Sequence, residues 1–102
     1  LSDLELDPAA LQALHQRAAA LMPSLGRARR EGRCGIRAAT PDGLPIIGRH
    51  PRQPGLWLAV GHEGLGVTTA PATARLLAAQ LTGASLPFEA VPYGMERFLA
   101  PA

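Results

Sequence analysis

The sequence has no lysine, a single cysteine and only four aromatic side chains, and each shortage excludes something. One cysteine, Cys34, rules out an internal disulfide and any cysteine-pair metal site. Nothing therefore requires an oxidising compartment, and the cytoplasm is the default expectation. No apolar run approaches the roughly 18 residues of a membrane span, and no charged-then-apolar leader is expected ahead of the first helix. The shortage of aromatics leaves alanine and leucine to fill the core. Without lysine, the net charge of +2 rests on ten arginines set against eight acids. Arg27, Arg29, Arg30, Arg33 and Arg37 fall close together, but no aromatic residues stand among them to stack on bases. They read as a solvated segment with one special arginine, and nucleic acid is not an expected partner. The histidines His15, His50 and His62 lack neighbouring ligands, so no metal site is expected. A chain of 102 residues is one small domain or a piece of a larger one, and it buries roughly 60–70 % of its unfolded surface. A first residue of Leu1 rather than methionine is what a processed or excised piece would carry.

The local patterns predict an α+β fold. In "DPAALQALHQRAAALM", residues 7–22, Asp7 is placed to cap a helix and Pro8 to occupy its first position, with Leu11, Leu14, Ala18 and Leu21 recurring at helical spacing. Leu6 and Leu11 are spaced for a hydrophobic staple. Residues 33–39 alternate, Cys34, Ile36 and Ala38 against Arg33, Gly35 and Arg37, which predicts a strand carrying Arg37 on its less apolar face. A turn at Pro41, Asp42 and Gly43 leads to a second short strand around Ile46 and Ile47, and the two strands are expected to pair. "LWLAVG", 56–61, reads as a buried strand with Trp57 in the core. A helix is expected to follow to about Leu81 and to stop at Gly83, with Pro71 leaving its start open. The tail from Ala84 reads as an extended strap with one short turn near "GMERF".

Between the buried strand and that helix stands "GHEGLG", 61–66. Unsatisfied N–H groups at a helix start carry the positive end of the helix dipole, and glycines allow a planar or anionic ligand to approach them. The spacing is neither that of a dinucleotide fingerprint nor that of a phosphate loop with its lysine. On spacing alone, a tight turn without a ligand is the simpler reading.

"GIRAATPDGLPIIG" (35–48) and "PGLWLAVGHEGLGVTTAPATARLLAAQLTG" (54–83), in this order behind a helix, closely resemble the C-terminal part of FAD-dependent amino-acid oxidoreductases of the D-amino-acid oxidase superfamily. Glycine and sarcosine oxidases, and the flavin subunits of opine and hydroxyproline dehydrogenases, look nearest. The resemblance implies that Gly61, His62, Gly64, Leu65, Gly66 and Val67 lie against the pyrimidine end of the flavin. There the helix dipole would favour the reduced, anionic ring by about 0.3–2 kcal/mol. It also implies that Arg37, at the arginine of the family's G-[LI]-R-P motif, forms a bidentate ion pair with the substrate carboxylate. Ala38 stands where many relatives have proline.

On this resemblance, 1–50 belong to a substrate-binding domain, 51–84 form the last strand and helix of an FAD-binding domain, and 85–102 are a tail. The ADP-binding unit of such enzymes is not in this chain. The isolated chain is therefore expected to lack FAD and turnover, with the remainder of a flavoprotein as its partner and an amino acid or amine as the substrate. Alone, its uncovered apolar faces are expected to drive self-association. The competing reading is a non-catalytic small subunit or interaction module that binds a larger protein. Glu63, His15 and His50 read as solvated residues, and Cys34 as a small buried one. His62 is left with two readings, action through its ring or through its backbone alone, and Pro41, Asp42 and Gly43 are read only as a turn.

Overall fold

In the computed structural model of the chain, residues 4–99 are described. They fall into two compact units, Leu1–Ile36 and Arg37–Ala102.

The first unit is built on α1, Pro8–Leu21. Asp7 lies outside helical φ/ψ and its Oδ1 accepts the Ala9 N–H at 2.9 Å, while Pro8 fills the position whose N–H would be orphaned anyway. Leu6 and Leu11 converge on Gly32, whose missing Cβ would stand 2.9 Å from a Leu11 methyl and 3.2 Å from one of Leu6. No residue of α1 is buried, and Leu14 and Leu21 are exposed. A single 3₁₀ turn, Pro23–Arg27, ends the helix. Cys34 is exposed rather than buried, its thiol donating to the Leu4 carbonyl oxygen at 3.3 Å. Because the cap is the clearest local support of α1, Asp7→Ala is expected to cost about 1 kcal/mol. The loss should appear as reduced helical circular dichroism and a lower urea midpoint.

The alternation at 33–39 does not produce a strand, since 29–40 carry no regular secondary structure. Alternation makes a strand only where another strand supplies a ladder. Among the described residues this segment has a single rung, Glu63 N–H to the Ala38 carbonyl at 3.0 Å. Pairing occurs further along. In the second unit β1, Ile46–Arg49, runs antiparallel to β2, Trp57–Val60, with Ile46 opposite Val60 and Arg49 opposite Trp57. The loop between them closes through His50 N–H to Leu56 O at 2.9 Å.

Helix α2, Gly66–Thr82, packs against β1. The buried hydrophobic side chains among the described residues are Ile47 on the strand and Leu76 and Ala79 on the helix, the last two one turn apart and so on one face. Gly83 ends α2 in the left-handed region, φ 69°, its N–H reaching the Ala79 carbonyl. With one helix and a two-stranded sheet in contact, little else is covered. β2 is half-buried at Trp57 and Leu58 and exposed at Ala59 and Val60, where its apolar run suggests full burial. The tail folds into two 3₁₀ turns, Val91–Tyr93 and Met95–Phe98, where one is expected, and both lie against β1. Phe88 and Tyr93 meet edge to face at 6.0 Å between ring centres.

Candidate functional site: a glycine turn faced by an arginine

β2 runs directly into the glycine turn, and the turn into α2. Gly61 is buried with φ +81°. A Cβ there would stand 2.6 Å from the Thr40 Cγ2 methyl and 3.8 Å from the Pro45 Cα, so the chain passes this point only as glycine. Glu63, with φ 47°, is the one non-glycine residue in the left-handed region among those described. That conformation costs about 1–2 kcal/mol and tends to mark functional positions. Glu63 itself is exposed, and its N–H donates to Ala38 O.

This backbone bond ties the turn to the segment that carries Arg37. A Cβ built on Gly64 would find the Arg37 guanidinium as its nearest neighbour, 3.8 Å from Nη1 and 3.9 Å from Cζ. The two features that the sequence singles out separately, the arginine and the glycine cluster, are therefore side by side. Arg37 is exposed and forms no ion pair among the described residues. It reaches the turn from an irregular segment, not from a strand.

The remaining turn residues divide clearly. His62 points its ring back at α2, with Nε2 3.0 Å from the Thr73 hydroxyl. Leu65 and Val67 are exposed, Val67 at 91 %. No side chain caps α2 at its N-terminus, Leu65 being the cap residue, and the Thr69 hydroxyl donates to Leu65 O at 2.8 Å. The first N–H groups of the helix thus have no side-chain cap among the described residues. Thr73 and the contact of the Thr40 methyl with Gly61 carry no local sequence signal, because each is defined by a partner distant in the chain.

Behind Gly61 the 40–45 turn has its own support. Asp42 makes the turn as expected, Oδ1 accepting Leu44 N–H at 3.1 Å, but it also holds Arg97 through Nε to Oδ2 at 2.6 Å. The Arg97 guanidinium keeps the Asp42 carboxyl well below the usual carboxylate range, aided by the Leu44 N–H and the Thr40 hydroxyl and opposed by partial desolvation. A carboxyl depressed in the folded state stabilises it above its ordinary pKa of about 4. That contribution is lost as the pH falls through the ordinary value towards the folded one. The stability difference between the natural chain and Asp42→Asn is therefore expected to be largest near neutrality and to shrink below about pH 4. Urea midpoints of both, measured down to about pH 2, would check it.

A glycine turn that starts at buried Gly61 and an uncapped helix start, faced by an arginine without an ion pair among the described residues, offer bare backbone and one cation suited to a planar or anionic group. The family model for FAD dependent oxidoreductase, DAO, matches residues 2–80. D-amino acid dehydrogenase 2 of Ralstonia nicotianae is 40 % identical over 97 residues, 90 % of this chain and 23 % of that protein. Glycine oxidase of Pseudomonas putida is 39 % identical over 88 residues, 85 % of this chain and 24 % of that one. Among solved structures, glycine oxidase from Geobacillus kaustophilus matches with a TM-score of 0.75 and 32 % identity, over 98 % of this chain and 27 % of that one. The chain belongs to the DAO family of FAD dependent oxidoreductases, and it spans about a quarter of the length of these relatives.

The residues present fit a flavin. Gly64 has no protein atom within 3.8 Å of its Cβ position, and Gly66 meets only the His62 Cβ at 3.6 Å, so crowding inside the chain does not explain either glycine. An outside surface laid against them would. Among the described residues no cluster of three or more histidine, cysteine or acidic side chains could hold a metal ion, and no helix is long and apolar enough to cross a membrane.

Proposed function

We propose that this chain is the C-terminal portion of an FAD-dependent oxidoreductase that oxidises a small amino acid or secondary amine. The observation that carries the reading is the backbone bond from Glu63 to Ala38, which sets the Arg37 guanidinium beside Gly64. When bound, FAD supplies the hydride acceptor. Gly61, Gly64 and Gly66 present backbone without side chains to the ring, and the uncapped start of α2 offers N–H groups and a positive dipole end to the negative charge that reduction brings. Arg37 holds the substrate carboxylate through its planar fork and so fixes the Cα–H of the substrate relative to the turn. The His62 ring, bonded to Thr73, supports the turn from the helix side, and only its backbone faces the ligand.

Glycine oxidase and D-amino acid dehydrogenase are the names carried by the relatives, and the amino acids in those names have the carboxylate that an arginine fork suits. The 102-residue chain by itself is expected to be colourless and inactive, the ADP half of the cofactor needing residues outside it. Leu21, Val67 and Val91, all exposed, are then covered by the rest of the flavoprotein or, in the isolated chain, by a second copy.

The test is to purify the whole protein to which this chain belongs and record its visible spectrum. Flavin bands that bleach anaerobically with an amino acid uphold the reading, whereas a colourless whole protein overturns it. Gly64→Ala sharpens the result. Gly64 lies outside the left-handed region and a methyl there has room, so stability should change by no more than about 1 kcal/mol. The added methyl would stand where the ring is proposed to lie, so the same variant is expected to weaken FAD binding by about tenfold or more, measured by reconstituting the apoprotein.

A further inference from the structure

Arg97 is 55 residues beyond Asp42 in the chain, in the last 3₁₀ turn, yet its guanidinium serves the 40–45 turn almost entirely. Nε donates to Asp42 Oδ2 at 2.6 Å, Nη2 to Leu44 O at 2.7 Å and to Asp42 Oδ1 at 3.2 Å, and Nη1 to Gly94 O at 2.7 Å. The group stacks on Phe98, 4.2 Å from the ring centre, and its side chain is only 18 % exposed. A long side chain held at so many points is ordered by a charge-assisted fork, not by a loose surface pair.

What that fork holds is Thr40. The single proton of the Thr40 hydroxyl is shared between Leu44 O at 2.7 Å and Asp42 Oδ1 at 3.1 Å. Both acceptor residues are themselves gripped by Arg97. The hydroxyl so fixed turns the Cγ2 methyl of the same side chain onto Gly61, where it fills the space that a Cβ would need. A continuous chain of contacts thus runs from the C-terminal tail, through Asp42 and Thr40, to the first residue of the glycine turn.

We propose that Arg97 is a positioning residue for the glycine turn: acting through Asp42 and Thr40, it holds the methyl that buttresses Gly61 and so fixes the backbone facing the flavin. The buttressing is read directly from the contacts; its consequence for the cofactor rests on the function proposed above. The tail is accordingly part of the site's support and not a loose strap. Truncation before Arg97 would release the turn.

The test reads the turn first and the cofactor second. In the 102-residue chain, amide hydrogen exchange followed by NMR reports the Glu63 N–H, whose bond to Ala38 O closes the turn, with the amide of buried Leu76 as the reference. Thr40→Ser keeps the hydroxyl and removes only the methyl, so it leaves the hydrogen bonds of the turn in place and carries the test if Arg97→Ala does not fold. Each single variant is expected to speed Glu63 exchange by about tenfold with Leu76 unchanged, and the double variant to add little, as for residues acting through one contact. Unchanged Glu63 exchange, equal acceleration at Leu76, or effects that multiply in the double variant would each overturn the proposal. In the whole flavoprotein, Arg97→Ala is then expected to weaken FAD binding and shift its midpoint potential, with Arg97→Lys restoring part of both. Loosened exchange with FAD binding and potential untouched would uphold the hold of Arg97 on the turn and overturn the flavin reading of that turn.

Discussion

Arg37→Ala in the whole protein is expected to lower kcat/KM for an amino-acid substrate by about 30- to 5,000-fold while FAD stays bound. The range follows from removing one partner of a hydrogen-bonded charge pair, about 2–5 kcal/mol, at about 1.36 kcal/mol for each factor of ten. Arg37 is free to take this role, being exposed, without an ion pair among the described residues, and set against Gly64. Its removal should not disturb the fold, because the nearby backbone bond uses the Ala38 carbonyl and not the Arg37 side chain. Kinetics with a substrate and with its decarboxylated amine separate the causes. If Arg37 holds the carboxylate, the variant loses the preference for the acid and leaves the amine's rate nearly unchanged. An equal loss for both would mean that Arg37 acts on the cofactor or the fold. Arg37→Lys should recover only part of the loss, since an ammonium offers no planar fork.

The features that the sequence made readable are those defined within a few residues. Asp7 and Pro8 mark the start of α1, Gly83 the end of α2, and Pro41, Asp42 and Gly43 the turn before β1, because capping and turn chemistry act over two to four positions. The strand expected at 33–39 was misleading for a physical reason: alternation describes one edge of a ladder, and the neighbour that would complete it is not among the described residues. The burial expected of Trp57 and of the whole of β2 fails similarly, as apolar character says what a strand can cover and not what covers it. At the site, Arg37 and the glycine cluster were each legible, but their adjacency depends on Glu63 bonding to Ala38 across 25 residues. The contact of the Thr40 methyl with Gly61, Thr73 and Arg97 had no local signal at all. Each matters through a partner that only the folded chain brings near, and Asp42 reads as a turn residue until Arg97 is seen on its other side.

Gly61→Ala is expected to be the most damaging single methyl that can be added to the glycine turn. Two costs fall on the same residue. An alanine at φ +81° costs about 1–2 kcal/mol relative to glycine. The new Cβ would also stand 2.6 Å from the Thr40 methyl, an overlap of the kind that costs about 1–3 kcal/mol when the surroundings must shift. Together these are about 2–5 kcal/mol, a large share of the 5–15 kcal/mol that holds an ordinary domain. The turn cannot yield easily, because Pro45 and Ile46 stand behind Gly61 with their backbones and the Thr40 hydroxyl is bonded in place. A companion substitution separates the two costs. Thr40→Ser removes the methyl that the new Cβ strikes but leaves φ as it is, so Gly61→Ala with Thr40→Ser should recover the overlap and retain the backbone strain. Urea midpoints of the four chains form the cycle that measures this. A destabilisation by Gly61→Ala that is identical in the presence and absence of the Thr40 methyl would place the whole effect in the backbone. Recovery of about half would show that the methyl of Thr40, held by the 40–45 turn, closes the space beside Gly61.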